Sequence, residues 1–317
     1  MSTTAQLQTP YGDTTTAEQV LDGVDLTGRR AIVTGGASGI GVETARSLAA
    51  HGAAVTIAVR DTAAGDATKQ EIESSGAAGA VDVRPLDLAD LHSVAAFVAG
   101  WDGPLDLLIN NAGVMALPER VLTPRGQELH LATNHLGHFA LATGLHAALA
   151  ASGSARVVSL SSSAHLQSPF LFDDPSFAFI PYTPFLGYGQ SKSANALFAV
   201  EADRRWAADG IRTFSVMPGG IATRLQRHVD PEVLAAARRE AGADGQMKTI
   251  EQGAATSVFA ATSTLLDGLG GLYLEDCGQA HVVTKRADSD GRHGVAAYAL
   301  DPANAERLWA WSEAAIA

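Results

Sequence analysis

Short apolar runs alternate with longer amphipathic ones along most of this chain. Residues 30–34, 54–59, 81–86, 105–109, 155–161, 211–217 and 271–274 are brief and rich in Val, Ile, Leu and Ala, the pattern of strands buried on both faces of a sheet. Between them lie 40–51, 62–75, 91–99, 126–150, 188–209 and 249–262, longer stretches with helical spacing. Parallel neighbours need crossover connections, and the alternation of strand and helix supplies them. The pattern predicts an α/β chain with a doubly wound parallel sheet of about seven strands, helices on both faces and a single domain over 27–286. Residues 1–26 read as an N-terminal arm with a short helix near 16–21. Residues 287–317 read as a C-terminal tail whose last helix, at 302–316, carries Leu308, Trp309 and Trp311.

Composition narrows the class of partner. An apolar share of 46% and a charged share of 18% over 317 residues describe a globular protein with a sizeable core. A net charge of -12 argues against nucleic acid or an anionic membrane surface as a partner. The one cysteine, Cys277, cannot form an internal disulfide and reads as a small buried filler, and the ten histidines show no metal-ligand spacing with it. No metal is expected. The first residues lack the basic and apolar regions of a signal peptide. The run 139–151 is too short for a membrane span and contains Gly144 and His146. A soluble, cytoplasmic protein follows as the expectation.

Two stretches carry candidate chemistry. Residues 34–41, TGGASGIG, stand between a strand and a helix. Glycines there let the backbone approach a pyrophosphate, and a helix N-terminus offers free amide donors with a favourable dipole. The spacing is GxxxGxG, not the GxGxxG of the common Rossmann fingerprint. Residues 188–192 read YGQSK. On a helix, positions four apart share a face, so the phenol of Tyr188 and the ammonium of Lys192 lean into one pocket. A fixed cation favours the phenolate; moving a phenol from about 10 to about 7 requires roughly 4 kcal/mol.

These two stretches, with NNAG at 110–113 and the serine-rich strand end RVVSLSSSAH at 156–165 between them, resemble in order and separation the short-chain dehydrogenase/reductase family over 26–274. NHLGHF, YGQSKSANALF and the long gap between Ser162 and Tyr188 are similar to the branch of retinol dehydrogenases and WW-domain oxidoreductases. That branch often carries a membrane anchor, and none is read here. The resemblance implies a Rossmann-type fold and an oxidoreductase that moves a hydride between NADP(H) and a secondary alcohol, ketone or aldehyde. It makes Ser162 a hydrogen-bond donor to the substrate carbonyl and Tyr188 the acid or base. Lys192 becomes a ribose ligand and the cation that acidifies Tyr188, and Asn134 the helix asparagine that holds a water in the proton relay. Gly35, Ser38, Gly39, Ile40, Gly41, Asn111, Ala112, Gly113, Pro218 and Gly219 fall to the dinucleotide, with Tyr188 and Lys192. Ile221 and Thr223 would meet the nicotinamide carboxamide, and Asp87 with Leu88 the adenine. The rival within this fold is a catalytically silent, nucleotide-binding regulator.

Cofactor choice rests on the end of the second strand. An acid there would bind a ribose 2′-hydroxyl. Val59 stands at that position, followed by Arg60, whose planar fork of donors suits a 2′-phosphate. NADP is therefore expected, while Asp61 leaves NAD open. His135, His138 and His165 read as structural. The insertion at 163–187, with Phe170, Phe172, Phe177, Phe179, Tyr182 and Phe185, is read either as a lid for a bulky apolar substrate or as core and oligomer packing. Residues 226–247 read as a flap over the substrate or a plain surface helix. The helices at 126–150 and 188–209 resemble those the family uses for dimer and tetramer contacts, so a homo-oligomer is an open expectation, with the C-terminal tail able to block one face.

Overall fold

Runs of four to seven residues shielded on both sides build the sheet: β1 Arg30–Thr34, β2 Ala54–Val59, β3 Val81–Pro85, β4 Leu107–Asn110, β5 Ala155–Leu160, β6 Ile211–Met217 and β7 Leu272–Glu275. The computed structural model describes residues 7–229, 232 and 247–317. The order across the sheet is β3-β2-β1-β4-β5-β6-β7, all parallel, with a short β8, Gly278–Gln279, antiparallel on β7. Strand order reverses between β1 and β4, so a crevice opens there beyond the C-terminal strand ends.

Successive residues of β1 serve opposite faces. Val33 packs with Leu48, Val258 and Phe259, which belong to α2 Ile40–Ala50 and to a helix at Ile250–Thr262, while Ile32 packs with Phe97, Phe139 and Phe198 on the other side. Two apolar layers therefore sandwich the sheet, as the doubly wound pattern requires. The remaining helices before the second half of the sheet are α1 Ala17–Leu21, α3 Thr62–Ser74 and α4 Leu91–Ala99. Then come α5 Leu129–Leu131, α6 Gly137–Gly144, α7 His146–Ser152 and α8 Pro184–Trp206. The helix Ile250–Thr262 is α9, and Pro302–Ile316 is α10.

Three departures from the sequence expectation have local causes. The continuous helix expected at 126–150 begins at Leu129, because the Glu128 carboxylate caps the amides of His130 and Leu131, each at 3.0 Å. It then widens into a π turn, Ala132–Leu136, before α6, and breaks again at Leu145. β8 was not anticipated: Asp276 and Cys277, at φ +50 and +56, form a two-residue hairpin turn without the glycine that usually signals one. Cys277 is buried as expected, but in a turn.

The C-terminal helix is built into the core. Trp309 of α10 sits among Phe139, Phe198 and Trp206, with ring centroids 4.9, 6.0 and 5.4 Å away. In the insertion, Phe170 and Phe172 pack edge to face, and Phe170 also meets Trp311 of α10. Phe177 packs on Tyr182. Those rings fill gaps between elements, whereas Phe179 is 92% exposed. Of the stretch read as a flap, Gln226 to His228 end a 3-10 turn, Arg224–His228, and residues 230, 231 and 233–246 lie outside the described residues. Among the described residues no helix is long and apolar enough to cross a membrane, and no group of three or more His, Cys, Asp or Glu side chains is placed to hold a metal.

Candidate active site

The glycine-rich loop follows β1 and leads into α2, whose N-cap, Gly39 at φ +56, has no side chain to bond the first-turn amides. α3, α4, α8, α9 and α10 each have a capping Asp or Thr. An uncapped helix start beside the crevice is suited to an anion such as a pyrophosphate. Gly35 and Gly41 are needed by packing: a Cβ on Gly41 would lie 2.5 Å from Asn111 Nδ2 and from the Gly35 carbonyl, and one on Gly35 would lie 2.9 Å from Ala112 Cα. Ser38 is exposed at the tip of the loop. A cavity of about 400 Å³ adjoins Gly39, lined by Ala222, Thr223, Arg224, Gln226 and Ile250. The loop, the free helix start and this cavity fit a dinucleotide.

NNAG is fixed to β1 by one hydroxyl. Thr34 Oγ1 accepts from the amides of Asn111 and Ala112 at 2.9 and 3.0 Å, and Asn111 Nδ2 donates to the Thr34 carbonyl at 2.8 Å. After β6, Gly219 takes φ +94, and a Cβ there would strike the Lys248 side chain at 2.7 Å. Pro218 precedes it directly, and Ile221 meets Ile40 across Gly253. Asp87 and Leu88 follow β3; the Asp87 amide donates to Ser93 Oγ at 2.9 Å, its carboxylate accepts from the Ala89 amide at 3.0 Å, and Leu88 is buried. Arg60 is exposed just after β2, and no described residue pairs with it. The Asp61 carboxylate caps α3 through the Ala64 amide at 3.1 Å.

The π turn aims Asn134 inward. Its amide makes three bonds: Oδ1 accepts from the Val114 amide at 2.8 Å, and Nδ2 donates to the Val114 carbonyl at 3.0 Å and to Ser191 Oγ at 2.9 Å. Its carbonyl accepts from His138 Nδ1 at 2.9 Å. π turns concentrate at functional positions because they re-aim one residue without ending the helix. A Cβ on Gly113 would lie 3.0 Å from Asn134 Oδ1 and 3.9 Å from Lys192 Nζ, so NNAG, Asn134 and Lys192 converge.

Of the three serines after β5, Ser162 is the one whose hydroxyl faces the Tyr188 phenol and favours its ionised form; its oxygen also accepts from the Ala164 amide at 3.2 Å. Ser161 Oγ turns to α8 and donates to the Lys192 carbonyl at 2.9 Å. Tyr188 and Lys192 are both buried, as expected for one shared face of α8. The expected acidification of Tyr188 is not observed. Burial pushes the phenol up to about 12, only partly offset by Ser162. Burial also pulls the Lys192 ammonium down to about 7. Lys192 Nζ stands 5.4 Å from the Tyr188 ring centroid and donates to the Leu160 carbonyl at 2.8 Å. Desolvation outweighs a cation held at that range.

The sequence reading did not single out Thr34, Arg224 or the imidazoles as parts of the site. Thr34 is the first letter of TGGASGIG and Arg224 directly follows PGGIAT, so both stood beside motifs already in view.

Comparisons with known proteins agree with this geometry. A family model described as short chain dehydrogenase matches residues 29–234. A "Probable oxidoreductase" of Streptomyces antibioticus is 55% identical over 301 residues, spanning 92% of this chain and 99% of that one. Human "Retinol dehydrogenase 12" is 38% identical over 289 residues, 90% of this chain and 85% of that one. A solved structure from Agrobacterium tumefaciens with bound NADP superposes with a TM-score of 0.62 at 28% identity, covering 79% of this chain and 95% of that one.

Proposed function

Because this chain belongs to the short-chain dehydrogenase/reductase family and is an oxidoreductase that uses NAD(P), we propose that it reduces a ketone or aldehyde with NADPH, Tyr188 supplying the proton. The observation that carries this reading is the half-buried Ser162 hydroxyl facing a buried Tyr188 phenol that is held in its protonated form. In the crevice the nicotinamide supplies the hydride. Negative charge then develops on the substrate oxygen. Ser162 donates a hydrogen bond to that oxygen, and Tyr188 donates its proton. An alkoxide is far more basic than a phenolate, so a phenol near 12 still transfers its proton downhill and is in the right state at neutral pH. The reverse oxidation would need the phenolate, which burial disfavours. Lys192, 5.4 Å from the Tyr188 ring centroid, supplies positive charge beside the ring when protonated. Asn134, with both amide hydrogens and one lone pair of Oδ1 engaged, holds NNAG against α8.

Two features support NADP over NAD. Arg60 is exposed at the end of β2 with no partner among the described residues, and its neighbour Asp61 has its carboxylate engaged as a helix cap. A bulky apolar substrate is supported by the wall formed by residues 114–122 and the insertion. Arg120 donates to the Phe177 carbonyl at 2.5 Å and Tyr182 to the Leu117 carbonyl at 2.8 Å. The wall leaves Val121, Leu122, Phe179 and Ile180 exposed.

The test is Tyr188→Phe assayed by NADPH oxidation across a panel of apolar ketones and aldehydes. The expected outcome is a loss of kcat of about 10²-fold or more with NADPH binding retained. Wild-type turnover that survives the substitution would refute the assignment. NADPH binding without turnover in the wild type would identify a regulator.

A further inference from the structure

Three residues after Ser162 lies His165, with no exposed surface and a bond at each ring nitrogen. The Ala296 amide, which can only donate, stands 3.1 Å from Nε2. Nε2 is therefore unprotonated and the ring proton sits on Nδ1. Nδ1 is 2.6 Å from the Ser162 carbonyl and 3.2 Å from the Tyr273 hydroxyl. The ring thus donates to the backbone of the residue whose hydroxyl faces Tyr188. The carbonyl of His165 in turn accepts from Ser193 Oγ of α8 at 3.4 Å and from the Tyr298 hydroxyl. One residue ties together the strand end that bears Ser162, the helix that bears Tyr188, and the segment 295–298 that follows the sheet.

We propose that His165 is a positioning residue: its neutral imidazole holds the Ser162 carbonyl and the Ala296 amide at once, and so keeps the serine hydroxyl aimed at Tyr188. This rests on the functional reading above. Ser162 lies at a strand end, outside the sheet ladder, and its backbone is otherwise held by the 3-10 turn that starts there. A small rotation about that turn would swing the hydroxyl away from the phenol, and misplacement on the order of 1 Å costs about 10²-fold in rate. The role differs from simple core filling, because it acts through one hydroxyl and disappears when that hydroxyl is removed.

The test is a cycle of His165→Gln, Ser162→Ala and the double variant, with His165→Asn as the conservative substitution whose amide can replace Nδ1–H. Steady-state ketone reduction, NADPH binding by fluorescence and thermal unfolding are measured on each full-length chain. His165→Gln is expected to lower kcat about 10- to 100-fold with KM and the NADPH Kd held within about twofold. His165→Asn should recover most of kcat, and the double variant should be no slower than Ser162→Ala alone. Multiplicative losses in the double variant, or equal kcat losses in His165→Asn and His165→Gln that track their Tm, would overturn the proposal. If His165→Gln does not fold, Tyr298→Phe serves instead, because it removes the hydroxyl that holds the His165 carbonyl and so loosens the ring without changing it. Its kcat loss must likewise vanish in the Ser162→Ala background. A wild type that binds NADPH but reduces nothing overturns the functional reading, and this inference with it. A wild type that turns over while these variants behave additively overturns this inference alone.

Discussion

Lys192 shows how far spacing alone can be taken. Its four-residue offset from Tyr188 was legible, and the two side chains do share one buried face of α8. Their protonation was not legible, because desolvation depends on what the rest of the chain packs around them. The ammonium, pulled below its ordinary value to about 7, is charged only at lower pH in the free protein. NADPH affinity should therefore weaken as pH rises through about 7, and Lys192→Met should flatten that dependence. Fluorescence titration between about pH 6 and 9 reads both, and a wild-type profile matching that of the variant would refute the assignment. Arg60 sits at the opposite extreme of exposure. With no partner to lose among the described residues, Arg60→Gln should weaken NADPH by about tenfold, the worth of one charge-assisted hydrogen bond, and leave NADH almost unchanged. Equal losses for both dinucleotides would remove the 2′-phosphate role.

At the level of elements, the strands and most helices follow from apolar periodicity, since β1, β2, β6, α4 and α10 fall within a residue of the pattern read from the chain. What periodicity misses is geometry with no compositional marker. A π turn uses the same residues as an α-helix, and the 276–277 hairpin lacks glycine. Both depend on partners distant in sequence: Val114 and Ser191 for Asn134, and the Thr256 hydroxyl for the Cys277 amide at 3.2 Å. The terminal helix belongs to the same class. Its aromatic content was visible, but its place against α8 and the π turn, where Ser312 Oγ meets His135 Nε2 at 2.8 Å, was not. Trp309→Ala would leave a cavity among three aromatic rings. A destabilisation of about 3–5 kcal/mol is expected from urea unfolding, and a shift below about 1 kcal/mol would mean that the helix docks only loosely.

For the whole molecule, His135, His138 and His165 are buried neutral, with burial lowering them to about 3, 4 and 4. Each folded value lies below the ordinary 6.5, so between about pH 6.5 and 4 the unfolded chain binds protons that the folded one refuses. Stability from these rings is full above about 6.5 and declines as pH falls toward 4, at up to about 4 kcal/mol per pH unit when all three act together. Urea midpoints at about pH 7.5, 6 and 5 should fall in that order, and a flat series would show that the rings titrate freely. His135 and Ser312, His138 and Thr34, and His165 and Ala296 join separate elements, so the loss would be global.

From Gly187 to Ala199 every residue of α8 is buried within this one chain, and α10 covers part of it. Here the covering helix is tethered, and tethering gives it an effective local concentration in the millimolar range. A second copy approaching that flank meets an incumbent it would first have to evict.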